Sequence, residues 1–222
     1  MKLPIGTRSA LTGAVRALVI ANGDPPSPEL LRELAKDALV VCADGAIRHA
    51  LDAGIEAHAV VGDLDSIGET RHILLTTLVV EDRDPNSTDL QKAVDWAIKM
   101  GRTEITIVAG GGGREDHHLA NLSLLRLYRG RAKIVISDDL FDISLVEGTA
   151  TVEGEPGSVV SLVAVGLCEG VTTSGLRWDL TDFDLEFSPL GVHNEIRESP
   201  ARISVRSGDL LLFRGRFIEK HG

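Results

Sequence analysis

The sequence predicts an α/β protein: a doubly wound, mostly parallel sheet flanked by helices over residues 1–138, followed by a small all-β sandwich over residues 139–222. Three observations carry that expectation. Through the first part of the chain, short runs rich in Val and Ile alternate with longer segments of helical period, the pattern of a parallel sheet wound with helices. Near residue 139 the helical period stops, and short runs separated by turn residues take over, as in a sandwich. The composition, 43% apolar and 25% charged in 222 residues, is that of a globular chain able to bury a sizeable core.

Six runs read as strands of the first domain: RALVIANG, ALVVCADG, AHAVVGD, TTLVVED, TEITIVAGG and AKIVISDD. Between them, SPELLRELAKD, AIRHALDAG, STDLQKAVDWAIKMG and REDHHLANLSLLRLYRG read as helices. The third helix is the clearest. Thr88 followed by Gln91 is a capping-box pattern, Leu90, Ala93, Val94, Ala97 and Ile98 fall on one face, Trp96 joins the core, and Gly101 ends it. Its interior is core, so its start is the part that can face a ligand. In the second domain FDISLVEG, TATVEGEPG, SVVSLVAVG, GVTTSGLRWDL, RISVRSGD and LLLFRG read as short strands, which places Trp178 on a strand.

Charge and cysteine usage exclude several classes of function. A net charge of −10 argues against a nucleic-acid or anionic-membrane surface, although a local group such as Arg114 can still hold a phosphate. The two cysteines, Cys42 and Cys168, lie far apart in apolar surroundings, so neither a disulfide framework nor a thiolate metal site is expected. The amino-terminal stretch reads as no secretory leader, and no run approaches the ~18 apolar residues of a membrane span. These features predict a cytoplasmic protein with small-molecule partners.

In an open parallel sheet, ligands sit beyond the carboxyl ends of the strands, and the unusual residues of this chain gather there. One strand ends in Asp44, the next in Asp63 with Asp65 following, a third in Asp82 and Asp84, and another in Gly110, Gly111, Gly112 and Gly113. Ala59 to Val61 form the buried strand that fixes Asp63 at that edge, and Ser66 begins the turn away. With the chain extended through Leu64, Asp63 and Asp65 point the same way and could share a Mg²⁺ ion, which prefers oxygen ligands and shares its octahedron with water and phosphates. Taken singly, each aspartate is a turn former or a helix cap.

The glycine run follows a strand and opens a helix, a setting in which backbone N–H groups and the helix dipole favour phosphate. It is neither a Walker A motif nor a dinucleotide fingerprint. Arg114 adds a planar fork suited to phosphate oxygens; the alternative is a flexible turn with a solvated arginine. His117 and His118 are adjacent and lack a second pair at ligand spacing, so capping or packing is preferred to zinc. Trp178, with Thr172, Thr173 and Ser174 nearby, could offer its face to a flat or cationic ring, against the alternative of sandwich packing.

In this order along the chain, CADGA, GDLDS, DPNSTDLQKA, GGGGREDHHLAN and TTSGLRWDL resemble the thiamine pyrophosphokinase family over about residues 18–213. The ordered set is far more specific than any one element. The resemblance implies an α/β catalytic domain and a β-sandwich, a homodimer, and transfer of the pyrophosphoryl group of ATP to the hydroxyethyl arm of thiamine with release of AMP. It implies that Asp44, Asp63, Asp65 and Asp89 hold Mg²⁺ and ATP, and that Arg114 and Asp116 are the arginine and aspartate of the glycine-loop motif. Thr88 and Asn121 join the four glycines on the nucleotide side. Ser174, Trp178 and Asn194 match positions that contact thiamine between subunits. Asp116 would orient either Arg114 or a metal-bound water. The chain departs from the family at Pro85, where some relatives carry a longer polar or basic residue, and at His193, where a serine is common. Both bear on ring contacts more than on phosphate chemistry. Rival readings are a pyrophosphokinase for another hydroxyalkyl heterocycle such as a pterin, and a nucleotide-binding regulatory protein without catalysis.

Overall fold

Strands that read as unbroken Val and Ile must be covered on both faces, and the first unit of the structure does this with helices. The computed structural model describes residues 15–65 and 76–218; Ser66 and residues 1–14, on which the expectations of a turn and of no leader fall, lie outside them. The chain divides into two units, Met1–Asp138 and Asp139–Gly222.

In the first unit, β1 (Arg16–Ile20), β2 (Leu39–Ala43), β3 (Ala59–Gly62), β4 (Leu78–Glu81), β5 (Glu104–Val108) and β6 (Lys133–Ser137) line up as β4-β3-β2-β1-β5-β6. Every pairing among them is parallel. Leu18, Ile20, Val40, Cys42 and Val60 face one way and pack with Leu31 of α1 (Pro28–Ala35) and with Ile47 and Ala50 of α2 (Ile47–Asp52). The alternate residues Val19, Val41 and Val61 are equally buried and point to the opposite face. There α3 (Asp89–Lys99) lies against β1, β2 and β3.

Local chemistry sets where these helices begin and end. Pro28 occupies the first turn of α1 behind Ser27, where its missing N–H costs nothing. Thr88 caps α3 by accepting from the Gln91 N–H, and Gly101, at φ +79, follows the last turn. Leu90, Ala93, Val94, Trp96 and Ala97 are buried as expected, while Ile98 is half-buried. The fourth helix, α4 (Glu115–Leu127), buries only Leu124 and Leu125 and leaves Leu119 and Leu127 exposed. Tyr128, just past its end, donates its hydroxyl to the Gln91 carbonyl at 3.4 Å and ties α4 to α3.

The second unit is antiparallel throughout: β7 (Phe141–Leu145), β8 (Thr149–Val152), β9 (Ser158–Ser174), β10 (Phe183–Leu185), β11 (Asn194–Glu195), β12 (Ala201–Ser204) and β13 (Ser207–Ile218). The strand order is β7-β13-β9-β12-β8, with β10 and β11 also on β9. Two expectations are corrected here. The runs read as two strands, SVVSLVAVG and GVTTSGLRWDL, form one long strand that stops at Ser174, because Gly166 and Gly170 at φ +89 and +63 absorb a bulge without ending it. The first half of β9 then pairs with β13 and the second with β12, and Val160, Leu162, Val171, Leu176, Leu185, Ile203 and Leu210 close the core between them. Trp178, placed on a strand by the sequence reading, lies instead in the bend that follows β9, past an isolated bridge between Leu176 and Ile196.

Cys42 and Cys168 are buried and not joined in a disulfide, and burial pushes the Cys42 thiol up to about 12. Among the described residues no helix is long and apolar enough to cross a membrane.

Candidate active site

The strand order of the first unit turns outward in both directions from the β1/β5 pair, toward β2 on one side and β6 on the other. A crevice opens there beyond the carboxyl ends, as the topology of an open sheet requires. It measures about 730 Å³ and takes its walls from the ends of β1, β2, β3 and β5, the 83–88 loop and the starts of α3 and α4.

The acidic wall is built by β2 and β3. Asp44 follows β2 at φ +40, a left-handed conformation that aspartate tolerates better than most residues, and is only 4% exposed. Asp63 follows β3, and the carboxylates of Asp44, Asp63 and Asp65 each offer an oxygen within 4.8 Å of the others. Their convergence does not come from an extended chain. Leu64 has φ +68, and the Asp65 N–H donates to Asp63 Oδ1 at 3.2 Å, so a tight turn folds the second carboxylate back beside the first. Gly62 completes this wall. A Cβ there would lie 2.8 Å from the Asp44 Cβ and 3.2 Å from the Asp89 carboxyl, so the glycine lets both aspartates close over the end of β3.

Asp89 opens α3 and is held by Lys92 Nζ at 3.0 Å. Lys92 lines the crevice and is 6% exposed. Burial alone lowers the lysine's proton affinity, but the hydrogen bond and charge of Asp89, with the charges of Asp63 and Asp82, turn the net shift upward. Asp82 and Asp84 serve the loop. Asp82 Oδ1 accepts from the Asp84 N–H, and Asp84 accepts from the backbone and side chain of Asn86 and from Ser87. The Asn86 bonds hold the Asp84 carboxyl below its usual range.

The opposite wall is the glycine loop. Gly112 and Gly113 have φ +84 and +73, and Gly112 lies against the Asp24 carboxylate, which a Cβ would meet at 2.2 Å. Gly110 is tied down by Asn121, whose Nδ2 donates to its carbonyl at 2.8 Å. Beyond the β1/β5 ladder the two loops stay zipped: Gly23 N–H to the Ala109 carbonyl at 2.9 Å, and Asp24 N–H to the Gly111 carbonyl at 2.8 Å. Gly111 rests on the His118 ring, and His117 faces the crevice. Arg114 and Asp116 form a two-pronged pair, Nε to Oδ1 at 3.1 Å and Nη2 to Oδ2 at 2.6 Å. That bond to Arg114 holds the Asp116 carboxyl down at about 2.

Asp44, Asp63, Thr88, Asp89, the four glycines, Arg114 and Asn121 therefore line one crevice, with Asp65 beside Asp44 and Asp63 and Asp116 paired with Arg114. The sequence reading missed Asn22, Gly23 and Asp24, which line the same crevice after β1. Their signal was available, because ANGD stands at the end of a predicted strand. Lys92 was also missed, since a lysine inside a helix reads as solvated and only burial marks it.

In the second unit, Ser174 is exposed at the end of β9 and Trp178 is 52% exposed. Asn194 brackets the tryptophan backbone: its Oδ1 accepts from the Trp178 N–H at 3.2 Å and its Nδ2 donates to the Trp178 carbonyl at 2.8 Å. Glu195 grips Arg177 at 2.7 Å, and the guanidinium lies 4.7 Å from the centre of the Trp178 ring. One face of the indole is thus covered by a fixed cation.

Comparison with known proteins matches both units. The family model "Thiamin pyrophosphokinase, catalytic domain" matches residues 30–136, and "Thiamin pyrophosphokinase, vitamin B1 binding domain" matches residues 149–210. Thiamine pyrophosphokinase 1 of Arabidopsis thaliana is 31% identical over 91% of this chain and 86% of its own length. The chain belongs to the thiamin pyrophosphokinase family. Thiamine pyrophosphokinase of Bacillus subtilis is 28% identical over 90% of this chain and 99% of its own. Its crystal structure superposes with a TM-score of 0.81 over 90% of this chain and 98% of that one, at 26% identity. The thiamin pyrophosphokinase of Candida albicans shares the fold at a TM-score of 0.77 and 15% identity. All the crevice residues from Asp44 to Asn121 fall in the catalytic-domain match, whereas Ser174, Trp178 and Asn194 fall in the vitamin B1 binding match.

Proposed function

We propose that the protein is an ATP-dependent thiamine pyrophosphokinase, moving the pyrophosphoryl group of ATP onto the hydroxyethyl oxygen of thiamine to give thiamine diphosphate and AMP. The observation that carries this reading is the crevice itself. An oxygen-only acidic wall faces a glycine loop with an arginine fork across the switch point of the sheet, in a chain of this family.

The donor set suits Mg²⁺, a hard ion that takes oxygen ligands. Asp44, Asp63 and Asp65 would hold it with Asp89 beside them, and when bound it neutralises charge on the phosphate oxygens. The amides of Gly110, Gly111, Gly112 and Gly113 and the Arg114 guanidinium hold the triphosphate, with Thr88 and Asn121 keeping α3 and the glycine loop in place. Asp116 positions Arg114. The thiamine hydroxyl gives up its proton to water as its oxygen attacks the β-phosphorus, the bond from that phosphorus to the α-phosphate oxygen breaks, and AMP leaves with the bonding pair. Positioning and electrostatics supply most of the acceleration in such a transfer.

Thiamine is held through the second unit, stacked on the open face of Trp178, with Ser174 beside the ring and Asn194 fixing the tryptophan. The resemblance to a family in which thiamine is held between subunits supports a homodimer as the working form. Incubation with Mg-ATP and thiamine should yield AMP and thiamine diphosphate in equal amounts, and Asp65→Asn should stop both while the circular dichroism spectrum is unchanged. AMP formed with a hydroxymethylpterin and not with thiamine would reassign the substrate. AMP formed by the Asp65→Asn protein would reject the metal role.

A further inference from the structure

Lys92 is costly where it stands. It is 6% exposed, and it sits in the first turns of α3, where the positive end of the helix dipole opposes a cation. A residue that only packed there would be apolar, like its neighbours Leu90, Ala93 and Val94, all of them buried. What offsets the cost is the acidic edge. Nζ is bonded to Asp89 Oδ1 at 3.0 Å, and Asp63 and Asp82 add their charge at longer range. Gly62 holds Asp89 and Asp44 together over the end of β3, so several like charges meet around one buried ammonium.

We propose that Lys92 is a built-in counter-ion: it supplies the positive charge that keeps the acidic edge folded when no divalent cation is bound, and it competes with that cation for the Asp89 carboxylate. The inference rests on the reading of this edge as a divalent-cation site. Lys92 is then a positioning residue. It holds Asp89 at the crevice in the resting protein and weakens metal binding until the phosphates of ATP bring further ligands and charge. Such an arrangement makes the metal arrive with the nucleotide rather than before it, because Mn²⁺ or Mg²⁺ alone must displace an ammonium already in place.

The test uses the full-length protein, the variants Lys92→Met and Asp89→Asn/Lys92→Met, and Mn²⁺ as probe. Melting temperature is read in EDTA and with Mn²⁺, and Mn²⁺ affinity without nucleotide by electron paramagnetic resonance. Lys92→Met should melt lower than wild type in EDTA, recover with Mn²⁺, and bind Mn²⁺ about tenfold more tightly, as removal of one close positive charge in a partly screened site implies. The double variant, which also removes the opposing charge, should regain the stability lost in EDTA. If Lys92→Met folds only with Mn²⁺ or only in the Asp89→Asn background, the proposal stands. If it folds in neither, or if the double variant is no more stable than the single one, Lys92 is needed for packing and the proposal falls. Equal Mn²⁺ affinity in wild type and Lys92→Met also overturns it. A wild type that binds no Mn²⁺ even with ATP overturns the cation reading itself, an outcome distinguishable from failure of Lys92 alone.

Discussion

Gly23 and Gly62 shape the crevice through the close approach that a missing Cβ allows. At Gly23 a Cβ would lie 2.1 Å from the Gly111 carbonyl and 2.5 Å from that of Ala109, both backbone atoms that cannot swing aside. Gly23→Ala must break the bonds that zip the β1 loop to the glycine loop, so a loss of about 1–3 kcal/mol of stability is expected from overpacking. Mg-ATP affinity by calorimetry should fall with it; unchanged affinity would mean that the phosphates do not rest on this loop. Gly113 offers a contrast, because nothing lies within 4 Å of a Cβ there and only its φ of +73 would be strained. Trp178 belongs to the same scale. With Arg177 on one face, its ring has one face for a ligand. Trp178→Ala should raise the KM for thiamine more than the KM for ATP. The reverse order would place thiamine elsewhere.

The elements differ in how much of themselves they show in sequence. Helix α3 was legible from end to end, since its cap, its apolar face and its closing glycine are all local signals. The turn at Leu64 was not, because a leucine at φ +68 follows from the pairing of Asp65 N–H with Asp63 and no local preference announces it. Strand β9 was read as two for a similar reason: glycine marks a turn or a bulge alike, and only the partner strands decide which. A pH effect also belongs to the elements. His58 joins the starts of β2 and β3, its Nδ1 accepting from the Val40 N–H at 3.0 Å. Burial lowers its proton affinity, Glu56 opposes this and Arg102 adds to it. The folded state thus binds this proton more weakly than the unfolded state, whose histidine titrates near ~6.5. This contribution to stability is full above that value and is lost as pH falls through it toward the folded value. Melting temperature should drop between neutral pH and pH about 5, and less so in His58→Asn, which can still accept from Val40; equal drops would remove His58 from the account.

At the scale of the molecule, each unit brings part of the chemistry expected of the family: the first carries the acidic edge and glycine loop, the second the exposed tryptophan. On the second unit the large apolar residues Leu167, Trp178, Phe183, Phe187, Leu190 and Val192 are 40–72% exposed. Sedimentation at micromolar concentration should give twice the mass of one chain, and a monomer active with thiamine would refute the homodimer. The sequence by itself determined the alternation of strands and helices in the first unit and the family, because alternation, caps and motifs are local and survive being read one residue at a time. It also named most of the crevice. Only the tertiary structure decided that Asp65 folds back on Asp63, that Asn22, Gly23 and Asp24 belong to the site, and that Lys92 is buried among the acids. Each depends on a neighbour distant in the chain, and charge and burial acquire their meaning only when that neighbour is in place.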